Sequence, residues 1–257
     1  MLKTLFDLSG RVALISGGSR GLGLQIAEAL GEFGASLVLT ARKEEELAAA
    51  SRHLAGQGIA AMTIAADLAQ PEAAGRIVAA VMAAHGRLDI LINNAGTAWG
   101  AATAEHPLAG WRKVIDLNLT GTFLLTQAAG RAAMLPRRSG RIVNVASIEA
   151  LQGRPKTMPG ALAYATSKGG IVSFTRSLAA EWGPYGITVN AIAPGFFPSK
   201  MTSVTLERFA SEIVAATPLG KLGGPHDLKG AALLFASDAG GHITGQVLAI
   251  DGGRTVL

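Results

Sequence analysis

The amino-acid sequence predicts an α/β protein, a doubly wound parallel sheet with helices on both faces. Three observations predict it. Short apolar runs alternate with helical patterns along all 257 residues, which implies parallel strands joined by right-handed crossovers. A glycine-rich turn, Ser16 to Gly23, joins the first apolar run to the first helical pattern. Residues of distinctive chemistry recur just after the runs: Gly17, Ala41, Asp67, Asn93, Ser147 and Pro194. In a parallel sheet that position is the carboxyl edge, where ligands bind.

The elements follow in order. Arg11 to Ile15 is apolar after its first residue, so Val12–Ile15 reads as a buried strand. A helix over Leu22–Phe33 follows the glycine turn, then a strand over Ser36–Thr40 and a helix over Glu44–Gly56. The next pairs are strand Ala60–Ala65 with helix Pro71–His85, and strand Ile90–Asn93 with one long helix Gly110–Leu135. Strand Arg141–Val145 leads into Gln152–Gly160, where proline and glycine mark an irregular loop. Helix Ala163–Trp182 and strand Thr188–Ile192 come next. Helices Thr205–Ala216 and His226–Ala236 precede a last strand, Val247–Ile250. No linker, repeat or low-complexity tract divides the chain, so one domain over 1–257 is expected.

Composition narrows the function classes. There is no cysteine, which removes disulfides and thiolate chemistry, and the five histidines are dispersed, so no metal is expected. The formal net charge is +5, but the basic residues are scattered and aromatics make up 5%. A nucleic-acid partner needs a clustered patch with stacking rings, and none is expected here. No apolar run has secretory or membrane-spanning length, so no membrane partner and a cytoplasmic location are expected.

Tyr164 and Lys168 stand one turn apart on the same face of the helix Ala163–Trp182. A phenol has a pKa of about 10 and exchanges protons poorly near neutrality. An adjacent ammonium favours the phenolate, so the sequence predicts a lowered pKa for Tyr164 and a group able to trade a proton with a substrate oxygen. The glycine turn supplies a second site. Gly17, Gly21 and Gly23 follow a strand and open a helix, as a dinucleotide pyrophosphate requires.

These residues together resemble the short-chain dehydrogenase/reductase family, in the family's order from about Leu8 to Gly253. Ser16-Gly17 with Gly21-Leu22-Gly23 resembles its TGxxxGxG loop, with Ser for Thr, and Ser19 and Arg20 lie inside that loop. Asp67-Leu68 resembles its adenine-contacting pair, Asn93-Asn94-Ala95-Gly96 its NNAG motif, and Pro194-Gly195 with Phe197 and Ser199 its nicotinamide segment. Asn118, Ser147, Tyr164 and Lys168 match its catalytic four. The resemblance implies a Rossmann sheet of strand order 3-2-1-4-5-6-7 and a small lid around 196–216. It implies hydride exchange between a nicotinamide and a carbonyl or secondary alcohol. Tyr164 is then the proton donor, Ser147 the carbonyl holder, Lys168 the ribose contact and Asn118 the support of a water relay. It also implies paired helices in a homotetramer.

Three readings of the activity stay open. They are a 3-oxoacyl (thio)ester or related ketone reductase, a sugar-acid or polyol dehydrogenase similar to gluconate 5-dehydrogenases, and an inactive nucleotide-sensing regulator. The intact quartet weighs against the last. NADP(H) is expected over NAD(H). Ala41 stands where NAD-preferring relatives place an acid, and Arg42 and Arg20 are placed to reach a 2′-phosphate. Lys43 is expected to face solvent.

Overall fold

A computed structural model describes residues 2–155, 158 and 160–257. Seven parallel strands form one sheet: β1 Val12–Ser16, β2 Ser36–Ala41, β3 Ala61–Ala65, β4 Ile90–Asn93, β5 Gly140–Val145, β6 Ile187–Pro194 and β7 Val247–Ile250. Their order is β3-β2-β1-β4-β5-β6-β7, as the resemblance implied. Between them lie α1 Leu2–Leu5, α2 Gly21–Glu32, α3 Glu44–Ala55, α4 Ala73–His85, α5 Leu108–Ile115, α6 Gly121–Ala129, α7 Leu135–Arg137, α8 Leu162–Trp182, α9 Ser203–Ala215 and α10 Lys229–Ala236.

Strand side chains alternate between two cores. Ala13, Ile15, Leu37, Leu39 and Val143 pack with Ile26 of α2, Leu47 of α3 and Phe235 of α10. Leu14, Val38, Leu91, Ile142 and Val189 pack on the opposite face with Ile77 of α4, Leu125 of α6 and Trp182 of α8. The central strands are buried on both faces, which is why they read as unbroken apolar runs.

One expected element is corrected. Gly110–Leu135 is not one uninterrupted helix: wide π-type turns over Asp116–Thr120 and Gly130–Met134 separate α5, α6 and α7. Tertiary partners account for both. Asn118 is drawn toward Thr97 and Ser167 by hydrogen bonds, and the Trp182 ring fills the space beside Gly130, where a Cβ would meet it at 2.2 Å. Two helix starts also move inward, to Ala73 and Lys229. Turns precede both: the Ala73 N–H donates to Gln70, and the Asp227 carboxylate accepts from the Gly224 N–H at 2.8 Å.

A buried polar chain ties α8 to the sheet. Asn93 Nδ2 donates to Thr126 Oγ1 and to Asn144 Oδ1, each at 2.9 Å. Asn144 Nδ2 donates in turn to Thr175 Oγ1 of α8 at 2.9 Å. The helix carrying Tyr164 and Lys168 is thereby fixed against β5.

Candidate active site

The register places Ser16, Thr40, Asn93 and Asn144 side by side at the strand ends. A cavity of about 630 Å³ opens over that edge. The glycine loop forms its floor. Gly17 adopts φ of 63°, and a Cβ there would lie 2.9 Å from Ala95 Cα. Asn94 clamps the loop, its Nδ2 donating to the Ser16 and Gly17 carbonyls at 3.1 and 2.9 Å. Ser16 Oγ accepts from the Asn94 and Ala95 N–H groups. The α2 N-terminus begins at Gly21 and presents unpaired N–H groups and a favourable dipole to an anion.

Most of the expected cofactor residues meet here. Gly17, Ser19, Arg20, Gly21 and Leu22 line the cavity from the loop, and Arg42 from the end of β2. Leu68, Asn94, Ala95 and Gly96 line its middle. Pro194, Gly195, Phe197 and Ser199 close the far side, with Ser147, Tyr164 and Lys168 between. Three expected residues stand outside the lining. Gly23 is buried under the loop, where a Cβ would come within 2.2 Å of the Gly17 carbonyl. Asp67 caps its own turn, Oδ1 accepting from the Ala69 N–H at 3.0 Å, while its neighbours Ala66 and Leu68 line the wall.

Asn118 is the third, and it is buried. Its Oδ1 accepts from the Thr97 N–H at 2.8 Å, and its Nδ2 donates to Thr97 O and Ser167 Oγ, each at 2.9 Å. Both amide N–H groups are therefore engaged, so the side chain acts locally as a clamp between α5–α6, the β4 loop and α8. The site is still close: Asn118 Oδ1 and Lys168 Nζ lie 3.4 and 3.7 Å from where a Gly96 Cβ would stand.

The electrostatics of the Tyr164–Lys168 pair differ from expectation. Burial raises the phenol pKa above its ordinary 10, against a lowering contribution from the Ser147 hydrogen bond; Glu149 raises it and Arg154 lowers it. Lys168 Nζ donates to Val145 O at 2.6 Å and sits over the Tyr164 ring, 5.7 Å from its centroid. Burial pushes Lys168 down to about 8.

Sequence reasoning missed Thr40, Glu46, Leu117 and Thr202, which also line the cavity. Thr40 and Leu117 carry no signal beyond their place near the end of a strand or inside a helical pattern. Glu46 is one of three consecutive glutamates. Lys43, expected to face solvent, is exposed and stands at the cavity rim. Lys156, Thr157 and Pro159 of the expected substrate loop lie outside the described residues. Among the described residues no cluster of metal-binding side chains occurs, and no helix is long and apolar enough to cross a membrane.

The glycine cradle, the helix N-terminus and the adjoining hydroxyl, phenol and ammonium fit a nicotinamide dinucleotide. Comparison with known proteins agrees. A family model described as enoyl-(acyl carrier protein) reductase matches residues 17–255. Gluconate 5-dehydrogenase of Gluconobacter oxydans is 38% identical over 254 residues, covering 98% of this chain and 97% of that protein. The rhamnolipid-biosynthesis 3-oxoacyl-[acyl-carrier-protein] reductase of Pseudomonas aeruginosa is 40% identical over 256 residues, covering 96% and 97%. The solved gluconate 5-dehydrogenase of Burkholderia cenocepacia, in complex with NADP and tartrate, superposes with a TM-score of 0.94 at 34% identity over all of both chains. The chain belongs to the short-chain dehydrogenase/reductase family. It is an NAD(P)-dependent oxidoreductase acting on a CH–OH group.

Proposed function

We propose that the chain is an NADP(H)-preferring reductase of a 3-oxoacyl (thio)ester or related ketone. The observation carrying it is the junction of the clamped glycine loop with Ser147, Tyr164 and Lys168 in one cavity. A nicotinamide bound there supplies the hydride donor or acceptor. Ser147 Oγ holds the substrate oxygen, and Tyr164 Oη gives that oxygen a proton in reduction and takes it back in oxidation. Lys168 holds the cofactor ribose and tunes the phenol, and Asn118 positions the wall behind Lys168. Asp67 and Leu68 meet the adenine end. Phe196 to Ala216 forms a lid on the chain's one NAD(P)-binding domain; its helix α9 buries only Ile213.

Sugar-acid oxidation is the second reading, favoured by the similarity to gluconate 5-dehydrogenases. A panel of acetoacetyl thioesters, ketogluconates and simple ketones, followed by cofactor absorbance, separates the two. Fastest turnover of the thioesters supports the first, and fastest turnover of ketogluconates replaces it with the second.

The NADP(H) preference rests on Ala41, Arg42 and Arg20. Arg42 and Arg20 line the cavity, and no carboxylate stands at Ala41. A charge-assisted hydrogen bond contributes about 1.5–3 kcal/mol, so the double variant Ala41→Asp, Arg42→Ile should lose about tenfold or more in kcat/KM with NADP(H). An unchanged NADP(H) to NAD(H) ratio refutes this assignment.

The assembly we propose is a homotetramer of copies of this chain. Phe123 on α6, Leu162 on α8, and Leu248 with Val256 at the β7 end are exposed apolar residues suited to two symmetric interfaces. A monomer in light scattering at micromolar concentration refutes it.

A further inference from the structure

The phosphate-reading end of the cavity contains a carboxylate as well as its cations. Arg20 Nη1 lies 2.7 Å from Glu46 Oε1, and both side chains line the cavity with Arg42 and Lys43. Glu46 comes from the first turn of α3, five residues beyond the end of β2 at Ala41, so it approaches from a different element than the position that normally decides cofactor choice. Neither partner is sequestered: the Arg20 side chain is 51% exposed and that of Glu46 27%. The pair is therefore solvent-screened and able to open.

The consequence follows from charge. A ribose 2′-phosphate brings about two negative charges and several acceptor oxygens. To fork onto it, Arg20 must release Glu46, and the freed carboxylate then faces a like charge. A ribose 2′-hydroxyl imposes neither cost, because Arg20 keeps Glu46 and the carboxylate can also accept from the hydroxyl. We propose that Glu46 is a specificity-determining residue that holds Arg20 back from the 2′-phosphate, tempers the preference for NADP(H) and keeps NAD(H) usable. This rests on the reading that Arg20 and Arg42 bind the phosphate. Arg42 forms no ion pair among the described residues, so it supplies the uncontested part of the site.

The test is calorimetric titration of the whole protein with 2′,5′-ADP and with 5′-ADP, which differ only in the phosphate concerned. Glu46→Gln should bind 2′,5′-ADP about two- to tenfold more tightly than wild type at low salt and 5′-ADP no more tightly. The gain should shrink in 0.5 M salt and fall in an Arg20→Met background. Glu45→Gln makes the same change in net charge next door, outside the cavity lining, and should leave both affinities unchanged. Glu46→Ala repeats the experiment if Glu46→Gln melts early. No gain for 2′,5′-ADP overturns the proposal. So does an equal gain for both nucleotides, or the same gain in Glu45→Gln. The underlying reading fails separately, by Arg20→Met and Arg42→Met each leaving the affinity for 2′,5′-ADP unchanged.

Discussion

Gly23→Ala is expected to destabilise the protein even though alanine is the better helix former. Gly23 lies in the first turn of α2, where exchanging glycine for alanine ordinarily gains up to about 1 kcal/mol. Here the new Cβ would lie 2.2 Å from the Gly17 carbonyl oxygen and 2.5 Å from Asn94 Nδ2. The obstructing atoms cannot retreat cheaply. Gly17 is backbone, held by its N–H to Thr40 O at 2.8 Å, and Asn94 is held by its bonds to Ser16 and Gly17. Overpacking of this kind costs about 1–3 kcal/mol, a drop of roughly 2–12 °C in Tm for a domain of this size. Because the loop shifts, affinity for NADPH and NADH should fall together, about tenfold or more. Gly75→Ala is the control. Gly75 is an exposed residue of α4 with nothing within 4 Å of its added Cβ, so it should hold or raise Tm and leave binding untouched. Thermal melts and fluorescence titration read both quantities. A Gly23→Ala protein as stable as wild type, with unchanged cofactor affinity, refutes the reasoning.

Two further outcomes follow from the buried polar groups. Lys168 is pushed down from 10.5 to about 8 in the folded protein. The unfolded chain keeps that proton to higher pH, so stability of the cofactor-free protein should rise between pH 8 and 10. Tyr164, raised above 10, opposes this only beyond that window. Chemical denaturation across pH checks it, and Lys168→Met should lack the rise; equal slopes in the two proteins contradict the assignment. Asn144→Leu removes the acceptor of Asn93 Nδ2 and the donor to Thr175. Unfolding in urea should show a loss of about 1–3 kcal/mol, and a loss below about 0.5 kcal/mol counts against the network.

The sheet was legible because its central strands are apolar on both faces and its ligand-facing residues sit at strand ends. β4 and β7 have the expected limits, Ile90–Asn93 and Val247–Ile250. The two π-type turns were not legible, since their cause lies in distant partners: Thr97 and Ser167 for Asn118, Trp182 for Gly130. The short helix α1 escaped because it buries nothing and so leaves no pattern. At the site, spacing along α8 put Tyr164 and Lys168 on one face, but could not show how completely the fold buries them. Desolvation by that burial reverses the expected direction of the Tyr164 pKa. Glu46 shows the same limit: three glutamates open α3, and only the fold selects the one that meets Arg20.

The central claim is that Tyr164 transfers the proton that accompanies hydride transfer. Tyr164→Phe tests it most directly, because the ring stays and only the phenol oxygen and its proton are lost. With the best substrate from the panel, kcat should fall about 10²- to 10⁴-fold, while the affinity for NADPH stays within about twofold of wild type, less than 0.5 kcal/mol. A kcat near that of wild type in Tyr164→Phe contradicts the account.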